Sequence, residues 1–410
     1  MSTRSLLLLI PQSPFDPASG AAISVRTICE MLARAGWRVE AVAPAASESA
    51  VPGGTGRVLE SMGSKVGFQK PPVPSGRPVF SFSRRLVNYR LLDTGTESVS
   101  KSRELFVEDL DALTSMTLEA SGVPDIVLTY GSSEAEVRRR RTLQELGAAV
   151  VFSAHNTGYL HPRAFEATDA ILAYSRFIVQ HYRSTHGVEP AQLPLPVSVE
   201  DVVASRSCPM FFTFVNPELT KGLTFFLRLV QECSVRWPEM QFLVVEGRGS
   251  GQLVARVAEL LGLDIRAMEN LHFAVNTFSA SSIWAVTRFL LVPSLFEAAG
   301  RVAVEAQLNG IPVIASNRGG LPETVGAGGF LLPVVADVNT LEAKAVITLW
   351  LNLIGRLHTD SVFYEQARRS AVDAAHPHAS GEVERRHLAR FSAIAQQGSD
   401  RIRRPSLRVP

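Results

Sequence analysis

Two glutamates eight positions apart, Glu297 and Glu305, bracket Gly300 in the stretch PSLFEAAGRVAVEAQLNGIPVIASNRGGLPE, which runs from Pro293 to Glu323. An ionised carboxylate accepts two hydrogen bonds from a vicinal diol, so such groups suit a ligand rich in hydroxyls. Phe289 to Val292 reads as a buried parallel strand, and Val302, Ala303, Ala306 and Leu308 give the following segment the apolar side of a short helix that Asn309-Gly310 stops. The backbone amides of Ala299, Gly300, Arg301 and Val302 lie at the helix start, where unpaired N–H donors and the helix dipole favour a diphosphate. Gly300 is where a phosphate can approach the main chain. Carboxylates for hydroxyls beside amides for phosphate suit a nucleotide sugar.

The strand, loop and helix that carry these residues belong to a longer alternation. A chain of 410 residues, 46 % of them hydrophobic, exceeds the size that one core usually serves, so two domains are expected. An apolar run from Leu6, a loop to Gly20, helical spacing of Ile23, Ile28, Leu32 and Ala35, and a strand at Val39 to Val42 make a βαβ opening of Rossmann type. Strands at Ile126 to Leu128, Val150 to Phe152 and Ile171 to Ala173, with a helix over Glu134 to Leu146, extend it. Between Pro44 and Arg103 the periodicity fails, which predicts a variable insertion. It carries nine Lys or Arg against four Asp or Glu, an excess that fits a solvated loop surface or an anionic acceptor. The Pro-containing connection Leu193 to Ser198 sets the boundary between a domain over 1–195 and a second over 196–375, leaving 376–410 as a C-terminal helix and a basic tail, disordered beyond Gly398. The second alternation runs through Phe211 to Val215, Gln241 to Val245, Leu271 to Val275, Phe289 to Val292, Val313 to Ala315 and Phe330 to Leu332. The fold class is therefore α/β with two Rossmann-like domains, and ligands are expected in an interdomain cleft, beyond the carboxyl ends of the strands.

Composition excludes several partners. A net charge of +2 supplies no global field for nucleic acid or membrane. Cys29, Cys208 and Cys233 fit neither a disulfide framework nor a zinc site, so a reducing cytoplasm is expected. Leu6 to Ile10 is read as a buried strand rather than a leader peptide, and no apolar run has the length of a membrane span. Asp109-Leu-Asp111 has the spelling of a metal-binding pair but falls on a helix with Leu105, Leu110 and Leu113 on its apolar face, so it is read as a solvated face. The run Arg138 to Arg141 lacks the apolar face of an interfacial helix, which favours a soluble acceptor over a lipid one.

Glu297-Ala-Ala-Gly300-Arg-Val-Ala-Val-Glu305, followed by Gly-Ile-Pro-Val and Gly319-Gly320-Leu-Pro-Glu323, resembles the E-x7-E region of the retaining glycosyltransferases of the GT-B fold, family 4. The resemblance spans both domains. It implies that Glu297 holds hydroxyls of the donor sugar and Glu305 the ribose hydroxyls. Phe214-Val-Asn216-Pro-Glu-Leu-Thr-Lys221-Gly222 resembles the loop in which an arginine and a lysine bind the diphosphate; Lys221 matches, and Asn216 stands where arginine is usual. Arg301 is assigned part of the lost charge. Asp16-Pro-Ala-Ser-Gly20-Ala21 resembles the glycine loop near donor phosphate and acceptor, from which only Gly20 carries over. His155, after the strand Val150 to Phe152, matches the histidine beside the donor sugar, and Ser175 a serine that caps the next helix. Glu246-Gly-Arg-Gly is read as a turn beside the nucleotide, with no role for Arg248. The implied reaction moves a sugar from UDP or GDP to a small-molecule acceptor, without metal or other cofactor. A nucleotide-sugar epimerase and a non-catalytic sugar-binding module are the alternatives.

Overall fold

The described residues of the computed structural model are 3–48, 59, 67–69, 71–277 and 279–403, without the side chains of 68 and 399–403. They divide into two units. The first takes the described residues within Met1–Tyr174, Ile178–Pro196 and Val383–Pro410; the second comprises Ser175–Phe177 and Val197–Glu382.

In the first unit the strands are β1 (Ser5–Leu9), β2 (Arg38–Pro44), β3 (Gly67–Gln69), β4 (Val79–Arg84), β5 (Val87–Leu92), β6 (Ile126–Thr129), β7 (Ala149–Ala154), β8 (Ala170–Ala173) and β9 (Ala191–Gln192). They form one sheet in the order β3-β4-β5-β2-β1-β6-β7-β8-β9. From β5 to β9 every pairing is parallel. The direction of winding reverses between β1 and β6, the place where such sheets open toward ligands.

The expected insertion is part of this sheet. β4 and β5 form an antiparallel hairpin whose second strand pairs with β2, in register from Val39↔Val87 to Pro44↔Leu92. Phe80, Phe82, Val87, Tyr89 and Leu91 are buried. The hairpin turn, Arg85-Leu86, has φ of 48° and 65° at residues that carry no glycine signature, which hides it from sequence. The basic excess is largely neutralised within the unit: Arg84 and Arg85 pair with Glu30, Arg90 with Glu40 and Arg103 with Glu136. Arg57, Lys65 and Lys70 lie outside the described residues.

The second unit holds β10 (Phe211–Val215), β11 (Gln241–Val245), β12 (Leu271–Ala274), β13 (Thr287–Val292), β14 (Val313–Ser316) and β15 (Gly329–Leu332). Their order is β12-β11-β10-β13-β14-β15, parallel throughout, with the switch point between β10 and β13. Aromatic side chains fill its core. Phe214 stacks on Phe226 at 4.4 Å, and Phe225 meets Trp350 at 5.3 Å between ring centres.

The helix Glu382–Arg403 runs through the point where disorder was expected and belongs to the first unit; 404–410 lie outside the described residues. Its buried residues Val383, His387, Phe391, Ile394 and Ala395 recur at helical spacing. Among the described residues no helix is long and apolar enough to cross a membrane.

Candidate active site

At the carboxyl end of β13 the chain forms a loop, 293–300, before the helix Arg301–Leu308. Glycines let neighbouring segments close around it. Gly319, at φ +58°, would set a Cβ 2.0 Å from the Glu297 carbonyl oxygen, and a Cβ on Gly320 would stand 2.2 Å from that of Ala298. The Gly320 amide donates to the Glu297 carbonyl at 2.8 Å, Ser175 Oγ to the Ala298 carbonyl at 2.6 Å, and Thr324 Oγ1 to the Ala299 carbonyl. In a trans peptide the N–H points opposite to the C=O, so drawing these three carbonyls inward turns the amides of Ala298, Ala299 and Gly300 the other way. Gly300 itself is left-handed at φ +69°, and a Cβ there would meet Leu321 Cδ2 at 2.7 Å. Its glycine is thus demanded by backbone conformation and by packing.

Glu297 is buried, 8 % exposed, and its Oε1 accepts from Lys221 Nζ at 2.7 Å and Ser294 Oγ at 3.1 Å. Lys221 ends a 3-10 turn after β10. Gly222 follows it at φ +84°, where a Cβ would lie 1.9 Å from the Pro293 carbonyl oxygen, so only glycine lets the two strand-end loops touch. The Leu295 amide seals that contact by donating to the Thr220 carbonyl at 2.9 Å.

Glu305, one helical turn beyond Arg301, pairs with Arg301 Nε at 2.8 Å; both side chains are about nine-tenths buried, 11 % and 9 % exposed. Burial raises the Glu305 pKa, and the adjacent guanidinium opposes that rise. The structure therefore gives each glutamate its own cation. Arg301, expected to face phosphate, spends its Nε on Glu305.

Asn216 differs most from the sequence expectation. Its backbone is left-handed, φ 61°, a conformation asparagine tolerates better than most residues. Its Oδ1 accepts from the amides of Arg248 at 2.9 Å and Gly249 at 3.1 Å, and its Nδ2 donates to Glu218 Oε2 at 2.7 Å. The amide oxygen thus holds the loop after β10 to the turn after β11, while the nitrogen braces that loop from within. The glycines of that turn are required by the same closeness: a Cβ on Gly249 would lie 2.2 Å from the Pro217 carbonyl oxygen. The Gly247-x-Gly249 spacing after a strand was the available signal for this bracket.

In the first unit, Gly20 is the first residue of the helix Gly20–Arg34, and Ser19 caps it by accepting from the Ala22 amide at 3.3 Å. The same loop contains Asp16, which sequence reading passed over. It is buried and accepts from the amides of Ala18 at 3.0 Å and Glu48 at 2.7 Å and from Gln12 Nε2 at 3.1 Å. His155 follows β7 and stacks on Tyr174 at 4.9 Å between ring centres, with Tyr130 edge-on at 5.7 Å. Tyr174 also lies nearly parallel to His387, at 6.4 Å.

One further expectation is corrected. Asp109 is not on a solvated face: it is 3 % exposed and accepts from the Ser75 amide at 2.9 Å and from the Ser75 hydroxyl, a partner in the stretch without periodicity. Arg138 to Arg141 is not a uniform charged surface, since Arg138 and Arg139 pair with Asp111 while Arg140 is buried over the Phe152 ring and donates to the Gly131 and Ala164 carbonyls. Ser175, just before the helix Arg176–His186, donates its hydroxyl to the Ala298 carbonyl at 2.6 Å, and the first amide of that helix goes to Glu323 at 2.6 Å. Among the described residues no group of three His, Cys, Asp or Glu is arranged to hold a metal ion.

Residues 210–352 match the family model described as glycosyl transferases group 1. Among curated proteins, the chain is 26 % identical over 194 residues to a GDP-mannose-dependent monoacylated α-(1-6)-phosphatidylinositol monomannoside mannosyltransferase of Corynebacterium glutamicum, covering 42 % of this chain and 51 % of that one. The chain thus spans about half the length of this relative. Among solved structures, sucrose-phosphate synthase from Thermosynechococcus elongatus superposes with a TM-score of 0.63 at 18 % identity, covering 98 % of both chains. HepE of Anabaena, solved in complex with UDP and glucose, gives 0.62 at 15 % identity over 97 % of this chain and 99 % of that one. At such identities the likeness establishes the fold. The chain therefore has the GT-B architecture of two Rossmann-like units, and its second unit carries a group 1 glycosyltransferase domain over residues 210–352.

Proposed function

We propose that this chain transfers a sugar, with retention of configuration, from a nucleoside-diphosphate sugar of the UDP or GDP type to a small-molecule acceptor. The observation that carries the reading is the contact of Lys221 with Glu297 at 2.7 Å beside a loop whose carbonyls are drawn inward. A cation and outward amides suit a diphosphate, and the neighbouring carboxylate suits sugar hydroxyls. The GDP-mannose-dependent relative and the UDP-bound structural neighbour support this donor class.

On this reading the bond from the anomeric carbon to the phosphate oxygen breaks as the acceptor oxygen attacks from the same face, and the acceptor proton passes to the leaving diphosphate. Lys221 and the amides of Ala299 and Gly300 stabilise the charge that develops on that oxygen. Glu297, with His155, orients the sugar, and Glu305 takes the ribose. Arg301 offsets part of the burial that raises the Glu305 pKa, so its contribution to the nucleotide is through that carboxylate. No metal is required for these steps.

A thermal-shift panel of nucleoside diphosphates tests the donor, because a ligand that binds only the folded state raises its stability by mass action. UDP or GDP should raise the melting temperature, and anomeric NMR of the transferred product should show the donor's own configuration. A chain stabilised by neither nucleotide would sink the proposal. Conversion of the donor sugar without any acceptor would identify an epimerase instead.

A further inference from the structure

We propose that Arg248 is the second cation for the donor diphosphate and that Asn216 is the residue that positions it. The inference rests on the donor class just proposed and concerns the same strand ends. A departing diphosphate carries more negative charge than one lysine balances. Lys221 already lies 2.7 Å from Glu297, and Arg301 lies 2.8 Å from Glu305 in a buried pair. Position 216, at the end of β10, has an asparagine.

The structure replaces that side chain from the neighbouring strand. β11 pairs with β10 in register through Val215↔Val245, so the turn that follows β11 stands beside residue 216. Adjacent strands are about 4.8 Å apart, a distance that an extended arginine side chain spans. The Asn216 amide grips this turn at the backbone N–H of Arg248 itself, at 2.9 Å, and at the next amide. Asn216 reaches Glu218 with its other end, and Glu218 Oε2 lies 4.0 Å from Arg248 Nη1, the outer limit of an ion pair. The Arg248 side chain is 42 % exposed, so an anion from solvent can reach it. Arginine presents a planar fork that matches phosphate oxygens, which a substituted amide at 216 cannot. One residue thus fixes the backbone of the turn, and the next strand end supplies the charge.

The test is calorimetric binding of UDP and GDP, with uridine and guanosine as controls, to the wild-type chain, Arg248→Ala, Arg248→Lys, Asn216→Ala and the double variant. Arg248→Ala should weaken the preferred diphosphate at least tenfold while leaving the matching nucleoside within twofold and the melting temperature unchanged. Arg248→Lys should recover part of the loss. Asn216→Ala should weaken the diphosphate less, and the double variant should bind no worse than Arg248→Ala, since a residue that acts through another has no effect once its partner is gone. Additive losses, or an Arg248→Ala chain that binds diphosphate within twofold of wild type, would overturn the inference and leave the donor class standing. Failure of the wild-type chain to bind either diphosphate would overturn the donor class and this inference with it.

Discussion

In the first unit the buried Asp16, in the loop after β1, is bound into the fold by main-chain donors. It accepts from two backbone amides and a glutamine. In the second unit Glu297 is nearly as buried, yet its partners are the side chains of Lys221 and Ser294, and that lysine is 25 % exposed. The difference lies in what a ligand would have to displace. A backbone amide is a single donor fixed by the chain, whereas an ammonium has three donors and can keep Glu297 while turning another toward an anion. Burial alone does not separate Glu297 from Asp16; the nature of the partner does.

Substitutions can break or sharpen this contrast. The largest effect is expected at Glu297→Ala, which should lower transfer by about a thousandfold, on the order of 4 kcal/mol in the transition state, while nucleoside-diphosphate affinity stays within threefold. Loss of folding in that variant, followed by circular dichroism, would place Glu297 with the structural acids. Asp16→Ala should do the reverse. Orphaning its donors should cost about 3 to 4 kcal/mol of stability by urea denaturation, with diphosphate affinity per folded molecule unchanged.

Next in size is an acid limb confined to the first unit. Burial pushes the His387 pKa down to about 4, with Arg386 adding to the fall and the bond from Nδ1 to the Val383 carbonyl opposing it. The folded chain then binds no proton there until about pH 4, whereas the unfolded chain takes one up below its ordinary value of 6.5. Stability from this group is complete above pH 6.5 and declines as pH falls toward 4, by about 3 kcal/mol at most. His387→Gln should flatten that limb in denaturation midpoints measured across the range; an unchanged limb would remove His387 as its source. The smallest effect is expected at Asp111→Asn. Its carboxylate is 35 % exposed and pairs with the exposed Arg138 and with the largely buried Arg139, which keeps its bond to the Val107 carbonyl, so stability should shift by about 1 kcal/mol.

The second unit was the more legible in sequence because its determinants are local. There β10, β11, β13 and β14 are apolar runs followed by glycine-bearing loops, and Gly222, Gly249, Gly319 and Gly320 mark the places where backbones touch. The pairing of Lys221 with Glu297 spans 76 positions, but both residues sit at strand ends that the alternation already brings side by side. What stayed hidden has partners that no local pattern reports. Asp109 looked solvated because its hydrogen-bond partner Ser75 lies in a stretch with no periodicity. The β4–β5 turn lacks its usual residues, and Asn216 acts through a turn that begins 30 positions later, at Glu246. The helical spacing of Arg301 to Glu305 marks an ion pair, which the expectation that Arg301 replaces the charge lost at position 216 obscured.

The closing helix has a consequence for synthesis. Val383, His387 and Phe391 complete the core of a unit that begins at the other end of the chain, and the whole of Val197–Glu382 is made before them. On the ribosome, where domains fold as their residues emerge, the later unit can close first. The earlier one must wait with an open apolar face until this helix has emerged.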